Sequence, residues 1–185
     1  MSSTTAPAQT GRTYTLDAAH SAAAFVVRHM MFAKVRGHFN GLTGSIQLPA
    51  GSHLPVSVDA VIDAASVDTR DAQRDAHLKS ADFFDVATYP QLTFRSTRIE
   101  GTEQAFRLTG DLTIHGTTRE VTFDASFEGA GSDPWGNQRI GYEASAQISR
   151  LAFGMSFNQT LETGGVLVSD EVKIELNIEA IAAKT

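Results

Sequence analysis

Asp17, His20 and Ser21 bring a carboxylate, an imidazole and a hydroxyl into one short stretch, the three groups that a serine hydrolase combines. Their spacing speaks against that chemistry. Neighbouring residues on a strand point to opposite faces, so His20 is badly placed to activate Ser21, and no Gly-x-Ser-x-Gly elbow occurs in the chain. The histidines, at positions 20, 29, 38, 53, 77 and 115, show no His-x-x-x-His or other compact ligand spacing. Asp63, Asp68, Asp71 and Asp75 lack the alternating ligands and glycine of a calcium loop and read as a solvated acidic face. What remains is a different kind of chemistry. His20, Ser21 and His29 stand in a stretch, Leu16 to Ile46, whose other residues are largely apolar. Polar groups beside apolar walls suit a pocket for a long apolar molecule with a polar end. The same pattern also suits a β-hairpin packed on a filled core.

Composition removes other classes. The chain has 185 residues, no cysteine and a net charge of −6. Disulfide scaffolds, thiolate zinc sites and cysteine nucleophiles are excluded. There is no basic footprint for nucleic acid, and an acidic membrane surface would repel the protein weakly. No apolar run reaches the roughly 18 residues of a membrane helix, so no stable membrane insertion is expected. Residues 1–12 read as a flexible tail and 13–185 as one domain. The start of the chain lacks the apolar h-region of a secretory signal, which points to the cytoplasm, or to the periplasm if a leader has been removed.

Strands must position the polar groups. Ala22, Ala24 and Val26 share one face of a strand, Phe25 and Val27 the other, and both faces are apolar, as in a strand covered on both sides. Gly37, Gly41 and Gly44 punctuate the next strand, a device that curls sheets into barrels. Thr69 is expected to cap a short helix bearing Arg70 and Arg74 in surface ion pairs. Phe83 and Phe84 follow as a plug against the core, and Tyr89-Pro90 ends the excursion. From Leu92 to Ile178 the pattern is nearly pure period two, with turns at His115-Gly116, Asp133–Asn137 and Gly164-Gly165. Such alternation marks antiparallel strands with one dry and one wet face. About eight strands predict an all-β fold, and closure into a barrel removes exposed edges.

The motifs LDAAHSAAAFVVRHMMFAKVRGHFNGLTGSI, LKSADFFDVATYPQLTFRS, LTGDLTIHGTTREVTF and ISRLAFGM, in that order, resemble those of the YceI-like family. The resemblance spans about residues 13–182. It implies a lipocalin-like, eight-stranded antiparallel barrel, with a short helical excursion, that binds a polyisoprenoid or isoprenoid quinone in an elongated apolar cavity. It supplies no catalytic residue. Many members of the family are periplasmic and carry a signal peptide, a feature not expected from the first residues of this sequence.

The expected function is therefore binding and sequestration or transport of an isoprenoid lipid, without catalysis, with no cofactor or metal. A hollow barrel needs small inward residues, and Ala22, Ala24, Ala125, Ala144 and Ala146 are the candidates. His20, Ser21, Arg28 and His29 are expected to meet the polar head. Ala24, Phe25, Val27, Met31, Phe32, Phe39, Phe83, Phe84, Phe94, Phe123 and Ile148 are expected to line the chain's site. Two alternatives stay open: a small enzyme acting on an isoprenoid-like substrate, and a stress-related interaction scaffold with a filled core. The Met30-Met31-Phe32 segment fits a pocket entrance, a sticky surface or a homodimer face equally well.

Overall fold

The computed structural model describes residues 11–184. The alternating sequence forms β1 (Arg12–Leu16), β2 (Ala22–His29), β3 (Ala33–Phe39), β4 (Leu42–Leu48), β5 (Ser57–Asp63), β6 (Val67–Asp68), β7 (Gln91–Thr102), β8 (Ala105–Ile114), β9 (Thr117–Ser132), β10 (Gln138–Ser149) and β11 (Val168–Ala182). One helix, α1 (Ala72–Lys79), interrupts them. The expected tail falls mostly outside the described residues; Arg12 already belongs to β1.

Strands β1, β4, β5, β7, β8, β9, β10 and β11 pair in that order, and β11 pairs back onto β1. This closes an eight-stranded antiparallel barrel, the predicted fold. Strand β11 is long enough to take two partners along one edge. Leu16 faces Ala180 near its end, while Ala22 to Val27 pair with Asn177 to Val172. Strands β1 and β2 therefore run end to end, and β3 leads into β4 through Asn40-Gly41 in the same way. Strand β3 pairs with β6 on its other side. The polypeptide from β6 to Tyr89 packs there, and the Phe84 ring meets that of Phe39 at 5.5 Å.

The dry face is the barrel interior, where Phe106, Leu108, Leu112, Ile114, Phe123, Ile140, Tyr142 and Ile148 are all buried. In β2 the inward set is Ala23, Phe25 and Val27. Its outer face carries Ala22, Ala24 and Val26 beside Arg36, His38, Lys173 and Glu175 on the neighbouring strands. The expected second covering layer is thus replaced by charged cross-strand neighbours. Among the small residues, Ala22 and Ala24 point outward and Ala23 takes the inward place.

Helix α1 starts two residues later than predicted. Asp71, not Thr69, is its N-cap, its carboxylate accepting from the Arg74 N–H at 3.0 Å. Thr69 is buried and gives its N–H and hydroxyl to Asp75. The supposed acidic face is a set of local backbone acceptors: Asp63, Asp68, Asp71 and Asp75 each bond a nearby N–H, the turn-forming habit of aspartate.

Candidate functional site

A cavity of about 650 Å³ occupies the barrel, within the range of ligand pockets, roughly 300–1,000 Å³. Its wall includes Phe106, Leu108, Leu112, Phe123, Val172 and Ile174. The interior stays open because several rings lie along the wall instead of across it. Phe25 covers Gly37 on the next strand, and Phe94 covers Gly110, each occupying the space a β-carbon would take. Ala125 and Ala144 face one another across β9 and β10, where longer side chains would reach into the lumen.

The two ends differ. At one end the 49–56 loop is latched down. The Tyr142 hydroxyl donates to the His53 carbonyl at 2.6 Å, the His53 ring stacks on Phe127 at 4.3 Å, and Glu103 accepts from the His53 N–H and the Ser52 hydroxyl. Burial, and secondarily the nearby Glu103 charge, push the Tyr142 phenol above its ordinary range, so it remains a donor. The His53 N–H and Ser52 hydroxyl hold the Glu103 carboxyl below its usual value.

At the other end the lining turns polar and exposed: Arg28, Asp71, Gln73 and Gln159 reach solvent, with His29, Arg74 and His77 half-buried among them. This is the mouth. His77 holds it together from the helix side. Its ring packs edge-on against Phe83 and Phe157 and its Nε2 bonds Asp82 at 2.7 Å. Arg74 donates to the Thr69 hydroxyl and carbonyl at 2.7 and 2.8 Å, so it ties the helix to β6 in addition to its long contact with Asp71 at 4.0 Å.

Beneath the mouth lies Arg150, 3% exposed and also part of the cavity wall. Its Nε donates to the Ser169 carbonyl, Nη1 to those of Met155 and Phe157, and Nη2 to that of Val168, at 2.6–3.1 Å. Desolvation lowers its pKa, yet a guanidinium stays charged at any ordinary pH. A buried cation caged by carbonyls instead of a carboxylate pins the 154–158 segment to the start of β11.

Among the residues expected at the site, Phe25, Val27, Phe39, Phe83, Phe84, Phe94, Phe123 and Ile148 lie in the cavity wall and His29 and Arg28 at its mouth. Ala24 lies in the same wall with its side chain on the outer face. His20 and Ser21 lie elsewhere. They occupy the bend between β1 and β2, where His20 Nδ1 bonds Asp17 at 2.8 Å and the Ser21 hydroxyl is spent on the Glu179 backbone, donating to its carbonyl and accepting from its N–H. Met31 and Phe32 point into solvent at the β2–β3 turn. Among the polar lining residues that sequence reasoning missed are Asp71, Gln73, Arg74, His77, Arg150 and Gln159. Arg150 lay within a quoted motif; the others sit in connections whose path past the barrel no period reveals.

Among the described residues, Asp17, His20 and Glu179 form one grouping of metal-like spacing. The Arg139 guanidinium already supplies the cation there: Nη1 bonds Asp17 at 2.8 Å and also Glu179, while Nε bonds Asp133 at 2.9 Å. Its donation, with help from His20, holds the Asp17 carboxyl below its usual value.

A closed antiparallel barrel with one latched end, one polar mouth and an apolar lumen defines a small-molecule-binding barrel class. Within it, the YceI-like domain matches residues 14–180, and the chain belongs to that family. The UPF0312 protein SA2479 of Staphylococcus aureus strain N315 is 37% identical over 167 residues, covering 90% of this chain and 95% of that protein. The crystal structure of Burkholderia cenocepacia BcnA matches with a TM-score of 0.75 at 28% identity, over 89% of this chain and 98% of its own. The Campylobacter jejuni YceI protein matches at 0.74 and 28%, over 85% and 90%. A polyisoprenoid-binding domain from Saccharophagus degradans shares the fold, with a TM-score of 0.65 at 18% identity over 92% and 98%.

Proposed function

We propose that this barrel binds and sequesters an isoprenoid lipid, with the chain in the lumen and the polar head among His29, Arg74, His77 and Gln159 at the mouth, and that it does no chemistry on it. The observation that carries the proposal is the continuous apolar cavity of about 650 Å³ ending in a polar rim at one end only. A site shaped that way rewards a long apolar molecule with one polar terminus. Each buried CH₂ contributes roughly 0.8 kcal/mol before the costs of ordering the chain, so affinity should climb with prenyl length until the lumen is full. The isoprenoid class is favoured by the motif resemblance, and the Saccharophagus barrel, alike at the level of fold, is itself a polyisoprenoid-binding domain. The Ser21 hydroxyl, engaged by the Glu179 backbone, is not held by His20, which supports binding over hydrolysis.

Native mass spectrometry of protein purified from cells, followed by solvent extraction, tests this. A co-purifying prenyl lipid, or saturable uptake of added polyprenols that tightens with chain length, is expected. Protein that arrives empty and also takes up no added polyprenyl compound would count against it.

A further inference from the structure

Exposed apolar residues gather at the mouth. In the β2–β3 turn Met30, Met31 and Phe32 are 40%, 57% and 75% exposed, and Val166 on the neighbouring loop is 37% exposed. The two segments touch: a β-carbon at Gly165 would lie 3.2 Å from Met31 Sδ. The Met30 N–H donates to the Leu167 carbonyl at 2.8 Å, and Leu167 lines the cavity. The tip is thus fastened to the rim of the mouth. Its backbone is also unusual. Met30 and Met31 have φ of 51° and 70°, the left-handed region that hairpin turns ordinarily fill with Asn-Gly. A turn chosen for folding alone would not hold two methionines there. Immediately behind the tip, exposed Arg28 and Lys34 are cross-strand partners. At the opposite end Trp135 and Val56 are exposed as well, but neither adjoins the open mouth.

We propose that this tip docks the barrel on an anionic lipid bilayer. Met30, Met31, Phe32 and Val166 enter the boundary between headgroups and acyl chains, Arg28 and Lys34 rest on anionic headgroups, and the mouth faces the membrane that supplies or receives the lipid. The proposal rests on the cavity being a lipid site. The apolar tip with cations at its base has the composition of an interfacial anchor. The net charge of −6 opposes adsorption by the rest of the surface, so contact is confined to this end.

The test is co-sedimentation of the whole chain with phosphatidylcholine vesicles with and without phosphatidylglycerol. Wild type should sediment with the anionic vesicles. The triple variant Met30→Asn, Met31→Gly, Phe32→Ser suits the turn's backbone and should keep its Tm, yet lose vesicle binding by about tenfold or more. Arg28→Gln with Lys34→Gln should lose roughly fivefold per charge on anionic vesicles and little on neutral ones. The triple variant, and Lys34→Gln alone, should still take up a polyprenol delivered from cyclodextrin, since none of these residues lines the cavity. Wild type that ignores vesicles, or a triple variant that binds them as well as wild type, overturns the docking proposal. So does a triple variant whose only change, by sedimentation velocity, is the loss of a dimer, which would make the tip a contact between copies. Loss of polyprenol uptake by wild type with vesicle binding intact would instead strike the cavity reading and leave the docking surface standing.

Discussion

The ring of Phe25 lies directly over Gly37 on the neighbouring strand, so that a β-carbon at Gly37 would sit 2.3 Å from its Cζ. The two are cross-strand partners, and the missing side chain on one lets the large side chain of the other lie flat. Thr69 backs the same spot at 2.9 Å, so the ring cannot yield on that side and must swing toward the lumen if Gly37 gains a methyl group. Gly37→Ala is expected to destabilise the fold by about 1–3 kcal/mol, the usual cost of overpacking, and to weaken polyprenol uptake. Adding Phe25→Leu should restore part of both. A thermodynamic cycle of the two single variants and the double variant measures the coupling; additive effects would show that the ring is not held by this contact.

The opposite manipulation fills the tube. Ala144 faces the lumen between Ala125 and Leu176. Ala144→Phe places a ring in existing space, adding roughly 1.5–3 kcal/mol of apolar burial, so Tm should hold or rise while affinity for long polyprenols falls at least about tenfold, a loss of about 1.4 kcal/mol. Isothermal titration with polyprenols of graded length checks this. Long chains should suffer more than short ones, and equal loss at every length would argue that the ring acts elsewhere.

The alternation from Leu92 to Ile178 made the barrel legible because each strand there buries one face only, so period two maps directly onto inside and outside. The same rule misled at β2. With alanine or valine at nearly every position, Ala22 to Val27 carry no polar mark to tell one face from the other, and the inward register, Ala23-Phe25-Val27, is set by pairing with β11 and β3. The aromatic lining was readable for the opposite reason, since large apolar side chains on strands have few other places to go. The mouth was not, because Arg74, His77 and Gln159 come from a helix and a loop whose route past the barrel depends on tertiary contacts such as His77 against Phe157. His20 and Ser21 looked like mouth residues from their apolar neighbours, but the bend after β1 turns them to the outside, beside Arg139.

Arg150 should matter to architecture more than any other charged residue. Arg150→Met keeps the stem but deserts the carbonyls of Ser169, Met155 and Phe157, while that of Val168 keeps the Asn158 side-chain amide as donor. Unsatisfied buried acceptors cost about 1–3 kcal/mol apiece, less wherever water enters, so a loss of about 3 kcal/mol or more is expected by urea denaturation. Arg150→Lys should rescue little, because an ammonium cannot span acceptors that a planar fork reaches. Limited proteolysis should cut the 154–160 segment in both variants; resistance equal to wild type would show that the cage does not hold that segment.

Acid should weaken the cluster that Asp17 and Asp133 form around Arg139. Asp17 is held below its ordinary pKa chiefly by the Arg139 guanidinium and then by His20, and Asp133 chiefly by Asn137 and then by Arg139. Arg139 is correspondingly raised, mainly by Asp133, and keeps its charge throughout. For a carboxyl whose folded pKa is depressed, the stabilisation is complete above the unfolded value, about 3.9 for aspartate, and is lost as pH falls through the lower folded value. Wild-type Tm should therefore be flat from neutrality to about pH 5 and drop below about pH 4. Arg139→Gln lowers Tm at pH 7 and removes the part of that acid slope due to its carboxylate partners, so the gap between the two melting curves should narrow as pH falls toward about 2. Scanning calorimetry across the series checks this; a wild-type-to-variant gap that stays constant with pH would mean that Arg139 stabilises the bend by packing alone and not through its carboxylate partners.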